Sequence, residues 1–139
     1  MVEQLITGLD HIGVATTDLS TVLSRMTDVL GISTVLRERN DGERVEEALV
    51  SVGQQYVQLL QGTSPASVVS RFVAVRGQGL HHVALRVSDV EQAIARLEAR
   101  GGRCLPPLVR RGSGGSRTAF CDPRDLGGLL IELVERPGR

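Results

Sequence analysis

Apolar and polar positions alternate in "HIGVAT" and again in "HVALRV", the period of a half-buried strand. An aspartate follows each stretch, Asp18 or Asp89, then apolar residues at helical spacing, then glycine. Leu19, Val22, Leu23 and Met26 form one helical stripe; Val90, Ile94 and Leu97 form the other. Both aspartates stand where N-caps belong, because a carboxylate accepts from the orphan N–H groups of a first turn. Gly31 and Gly101-Gly102 suit the helix ends. Laying His11 over His82 brings Asp18 onto Asp89, Arg25 onto Arg96 and Gly31 onto Gly102, without a gap. The chain repeats itself once.

Strand-like stretches follow each helix. They are "STVLRER", "RVEEALVSV" and "QYVQLLQ" in the first copy, then a poor one at "RCLPPLV", "SRTAFCD" and "GLLIELVE" in the second. The order βαβββ, twice, predicts an α+β fold of one domain, residues 1–139, whose two modules curve their sheets around a shared cleft. Module 1 spans about residues 7–62 and module 2 about 79–135, with a linker helix at about 65–76 that has Pro65 near its first turn.

Composition narrows the function. Sixteen acidic and sixteen basic residues cancel, and three aromatics (Tyr56, Phe72 and Phe120) make no stacking platform, so nucleic acid is not an expected partner. No stretch has the apolar length to cross a bilayer, and the N-terminus lacks an export signal, so the expected location is cytoplasmic. Cys104 and Cys121 form no disulfide framework and read as free thiols. Every basic residue is arginine, which excludes Schiff-base chemistry through lysine.

Strand parity sorts the side chains. His11, Gly13 and Ala15 share one face, opposite Ile12 and Val14; His82, Ala84 and Arg86 share another, opposite Val83, Leu85 and Val87. The apolar sets pack under the helices, leaving His11 and His82 on the far face beside small residues. His81 falls on the apolar side. Gln58 in "YVQLLQ" and Glu132 in "LLIELVE" interrupt the last strand of each copy at nearly equivalent positions. His11, Gln58, His82 and Glu132 therefore make a candidate site for a divalent first-row cation, with two nitrogen and two oxygen donors.

These features resemble the vicinal oxygen chelate superfamily, which includes glyoxalase I, extradiol dioxygenases and fosfomycin-resistance proteins. Within it, "DHIGVATTDL", "GQGLHHVALRVSDVEQAIARL" and "RRGSGGSRTAFCDPRDLGGLLIELVE" are similar to the methylmalonyl-CoA epimerase family. The resemblance implies a homodimer that binds Co2+, Mn2+ or Zn2+ through those four residues and interconverts the 2R and 2S forms of methylmalonyl-CoA. It places the general base at Glu47, where parity alone leaves Glu46 open, and makes Glu132 the second acid/base. The C2 proton lies between a thioester and a carboxylate, so its removal leaves an enolate that a Lewis acid stabilises. The loop Gly112, Ser113, Gly114, Gly115, Ser116 and Arg117, flexible and basic, offers N–H groups to CoA phosphates or the acyl carboxylate. Arg25 and Met26 replace an aromatic pair of that family, Cys121 and Asp122 replace a leucine and a histidine, and the link between third and fourth strands is short. These departures bear on the acyl pocket, so a larger 2-substituted malonyl thioester also fits. The alternatives are another isomerase or lyase of the superfamily and a resistance protein that sequesters a small molecule.

Overall fold

A computed structural model describes residues 5–138. They form two compact units, residues 11–81 and residues 5–10 with 82–138. The first boundary falls inside strand β1 (Ile6–Ala15), between Asp10 and His11.

In the unit of residues 11–81, β2 (Thr34–Asn40), β3 (Val45–Val52) and β4 (Gln55–Gly62) pair antiparallel in sequence, and β4 pairs in parallel with β1. The helix α1 (Leu19–Arg25) starts where Asp18 accepts the Thr21 N–H at 3.2 Å. It runs on into a π-helical turn, Met26–Leu30, which ends on Gly31 at φ 68°. Leu19 and Leu23 are buried against Ala48, Val50 and Leu59, with Val14, Val22 and Met26 around them. The register puts Gly13 and Leu49 opposite Gln58, and Glu47 opposite Leu60. Ile12, Val14, Glu46, Ala48 and Val50 thus lie on the α1 face, and His11, Gly13, Glu47 and Gln58 on the other.

The helix α2 (Val68–Arg76) begins later than the sequence suggests. Ser67 caps it by accepting the Val69 N–H at 3.2 Å, and Pro65 lies two residues before the cap. Val69 is buried with Ala15, Val45 and Leu60. The approach of α2 to β4 requires glycine at position 62, since a Cβ there would lie 1.9 Å from Ser70 Oγ.

In the other unit, β5 (Gly79–Val87) contributes from His82 onward and pairs in parallel with β8 (Ile131–Glu135). Antiparallel β7 (Arg117–Phe120) and the two-residue β6 (Arg110–Arg111) complete the order β5-β8-β7-β6. The helix α3 (Val90–Ala99) has Asp89 accepting from the Gln92 N–H and Glu135 accepting from the Val90 N–H. Val90, Ala93 and Ile94 are buried against Val87, Ala119 and Leu133. The stretch "RCLPPLV" contributes a single bridge, Cys104 to Cys121, because Pro106 and Pro107 have no N–H to continue a ladder.

Asp122 opens the short 3-10 turn Pro123–Leu126, accepting from the Arg124 backbone N–H at 2.9 Å and its guanidinium at 2.6 Å. That guanidinium first, and then the N–H, hold the Asp122 carboxyl down at about 2. Its unfolded value is about 3.9. The stabilisation is therefore complete above about pH 4 and disappears as pH falls through 2. The difference in Tm between the native chain and Asp122→Asn is expected to stay constant above pH 5 and to close between pH 4 and pH 2; a difference independent of pH would contradict this.

Candidate functional site

Each unit holds a pair of the polar side chains singled out in the sequence. In the first, His11 on β1 and Gln58 on β4 share the face turned away from α1, and both are buried. Gln58 Nε2 donates to Glu47 Oε2 at 2.9 Å across the β3–β4 ladder. A carboxylate can only accept, so this bond orients the amide and leaves its oxygen as the donor atom available to a cation. Glu47 is only 3 % exposed, and the amide compensates part of its desolvation.

Glu46, the neighbouring candidate, sits differently. It emerges on the α1 face, one-third exposed, and binds the Arg37 guanidinium at 2.7 Å. Adjacent strand residues face opposite ways, and the pairing of Leu49 with Gln58 decides which glutamate joins the histidine face.

In the second unit, His82 Nε2 lies 3.5 Å from Glu132 Oε1, both residues buried. The register places Ala84 opposite Glu132, which puts the two donors on one face with a small residue between. Two ligands about 2.0–2.2 Å from one cation stand roughly 3.0–3.5 Å apart. The separation is thus longer than an ordinary hydrogen bond and fits a shared cation. Phe120, opposite Glu132 on β7, meets the His82 ring edge-on at 5.7 Å. His81 packs its ring against Phe72 of α2 at 4.9 Å.

The glycine-rich segment, expected to be flexible, is a closed turn. Gly112 N–H donates to Ser116 O, Ser116 N–H donates to Ser113 O, and Ser113 and Ser116 are buried. A Cβ on Gly112 would lie 2.5 Å from Thr118 Cγ2, so glycine is needed there. Gly114 and Gly115 take left-handed conformations. Arg117 leaves the turn toward Glu91 and Glu135 on the exposed face.

A buried ionic cluster beneath this turn escaped the sequence reading. Asp10, fully buried, accepts from Arg86 Nε at 2.9 Å and from Arg136 Nη2 at 2.7 Å. Arg136 Nη1 donates on to Ser113 O at 2.6 Å. Arg86 and Arg136 each stand four residues beyond a candidate ligand, His82 and Glu132, on the same strand faces. The one hint in the sequence was Arg86, a charge inside an otherwise apolar strand.

Residues 10–120 match the glyoxalase/bleomycin resistance protein/dioxygenase superfamily. The chain belongs to that superfamily. Its paired βαβββ modules are the α+β fold expected of it. Among solved structures, methylmalonyl-CoA epimerase from Mycobacterium tuberculosis superposes with a TM-score of 0.93 at 39% identity, covering 98% of this chain and 92% of that one. A methylmalonyl-CoA epimerase in complex with methylmalonyl-CoA and NH4+ gives 0.91 at 35% identity, covering 96% of each chain. Mouse mitochondrial methylmalonyl-CoA epimerase is 31% identical over 91% of this chain and 72% of its own length. No helix among the described residues is long and apolar enough to cross a membrane.

Proposed function

We propose that this chain is a metal-dependent epimerase that interconverts the 2R and 2S forms of methylmalonyl-CoA or a close 2-substituted malonyl thioester, as a cytoplasmic homodimer. The observation that carries the reading is Glu47, a buried carboxylate oriented by an amide on the same face as His11. The likeness to epimerase structures over nearly the whole chain supports it.

His11, Gln58, His82 and Glu132 are the residues that would hold Co2+, Mn2+ or Zn2+, and their donor set suits such an ion. A divalent ion bound there supplies Lewis-acid stabilisation of the charge that develops on the substrate's thioester oxygen. Glu47 takes the C2 proton on one side. Gln58 keeps that carboxylate aimed while it does so. Glu132 would enter the cycle carrying a proton and give it to the opposite side, which inverts C2, after which Glu47 releases the proton it took and Glu132 regains one from solvent. The turn from Gly112 to Ser116 would meet the acyl carboxylate or a CoA phosphate with the backbone N–H groups that do not close it, while Arg117, held by Glu91 and Glu135 on the α3 face, takes no part.

The test is C2 deuterium incorporation in D2O, with product chirality, across methyl-, ethyl- and larger 2-alkylmalonyl-CoAs in Co2+, Mn2+ and Zn2+. Exchange with inversion is expected. Absence of exchange with every substrate and ion would discard the proposal, and tight binding without exchange would point to sequestration instead. A second expectation concerns the adjacent histidines. His82→Ala should lose at least about tenfold in cation affinity, by removal of one ligand, whereas His81→Ala should load normally. Equal losses in calorimetric titration would refute that division.

A further inference from the structure

We propose that Cys104 and Cys121 form a reversible cross-strand disulfide, making the pair an oxidation site on the helical side of the second unit. Neither thiol has a part in the proposed epimerisation. The bridge between them is flanked by Leu105 N–H donating to Phe120 O and Asp122 N–H donating to Arg103 O. That pattern defines a non-hydrogen-bonded antiparallel pair, in which opposing side chains approach most closely, with Cα atoms about 4.5 Å apart. A disulfide accepts Cα separations of about 4.4–6.8 Å.

Cys121 lines a cavity of about 620 Å³ together with Leu97, Leu133, Arg96, Arg100 and Arg103. Cys104 is the more exposed residue, 9 % against 3 %, so a small peroxide meets either thiol and the other resolves. Burial raises both thiols, Cys121 to about 11, with Glu98 opposing ionisation of Cys104 and Asp125 that of Cys121. Reaction at neutral pH is accordingly slow, since the thiolate is the nucleophile.

The chemistry balances with one peroxide. One cysteine sulfur attacks a peroxide oxygen; the S–O bond forms, the O–O bond breaks, and hydroxide leaves with the thiol proton as water. The other sulfur then attacks the sulfenic sulfur, forming S–S and releasing a second water. Two thiols lose two electrons and two protons, and the peroxide is reduced to two waters. The bond would close residues 105–120 into a loop, fixing both ends of the segment that carries the Gly112–Arg117 turn.

Hydrogen peroxide on the full chain, followed by intact mass and alkylation under denaturing conditions, decides the matter. Expected are a monomer lighter by about 2 Da, both thiols blocked and restored by dithiothreitol, and a Tm raised by about 5–10 °C. Cys104→Ser and Cys121→Ser should each lack a resolving thiol, so neither shows the loss of about 2 Da or the gain in Tm, and the remaining thiol stops at a dimedone-reactive sulfenic acid. The proposal is overturned if both thiols of the native chain remain alkylatable, if either proceeds to sulfinic acid there, if a covalent dimer forms, or if the oxidised Tm is unchanged or lower.

Discussion

Glu47→Gln is expected to lower C2 proton exchange by about 10²–10⁴-fold, the range typical for loss of a positioned general base. The substitution keeps the shape of the side chain and its bond to Gln58, because the new amide oxygen still accepts from Nε2 at the position Oε2 held. What it removes is the ability to take a proton. Cation loading and Tm should therefore stay close to those of the native chain, which separates loss of chemistry from loss of the site. Glu46→Gln provides the control. Its carboxylate is at the surface on the α1 face, paired with Arg37, and an exposed pair of that kind contributes at most about 1 kcal/mol. Exchange should fall less than about twofold, far below the effect of losing a base. Retention of exchange in Glu47→Gln would remove Glu47 from the reaction and leave the cation site standing.

Asp10→Ala should destabilise the chain by about 3–5 kcal/mol, because it strands buried positive charge. Asp10 neutralises Arg136, itself 8 % exposed, and also holds the Arg86 guanidinium. Urea unfolding measures the loss, and a value below about 1 kcal/mol would show that the guanidinium groups find water or another partner. Asp10→Ala combined with Arg136→Met should recover part of the stability, since replacing both charges removes the stranded one. That recovery is the sharper result, because a simple packing defect would not be relieved by a second substitution.

The fold was legible because its signals are short-range. Asp18 and Asp89 cap helices next to them, and Leu19, Leu23, Val90 and Ile94 bury at the spacing their helices impose. Alternation in β1 and β5 separated His11 and His82 from the core-facing residues, and it assigned His81 away from His82. The π-helical turn after Arg25 left no trace in the sequence, since one wider turn shifts hydrogen bonds without shifting the apolar stripe enough to notice. The start of α2 was placed early because proline suits a first turn, whereas Ser67, accepting the Val69 N–H, is the residue that caps the helix. That Glu47, not Glu46, shares the face of Gln58 follows from the register of β3 against β4, a relation between strands that neither strand's own pattern contains. Asp10 and Arg136 lie farther apart still, and nothing local in either stretch announces the other.

That separation has a consequence for how the chain is made. As synthesis proceeds from the N-terminus, residues 11–81 have every sheet partner of their own unit as soon as β4 and α2 are complete. Residues 5–10 emerge before all of them, yet belong with residues 82–138. Asp10 must wait with its carboxylate in water until Arg86 and finally Arg136 leave the ribosome, so the second unit closes only after residues 11–81 have been free to fold.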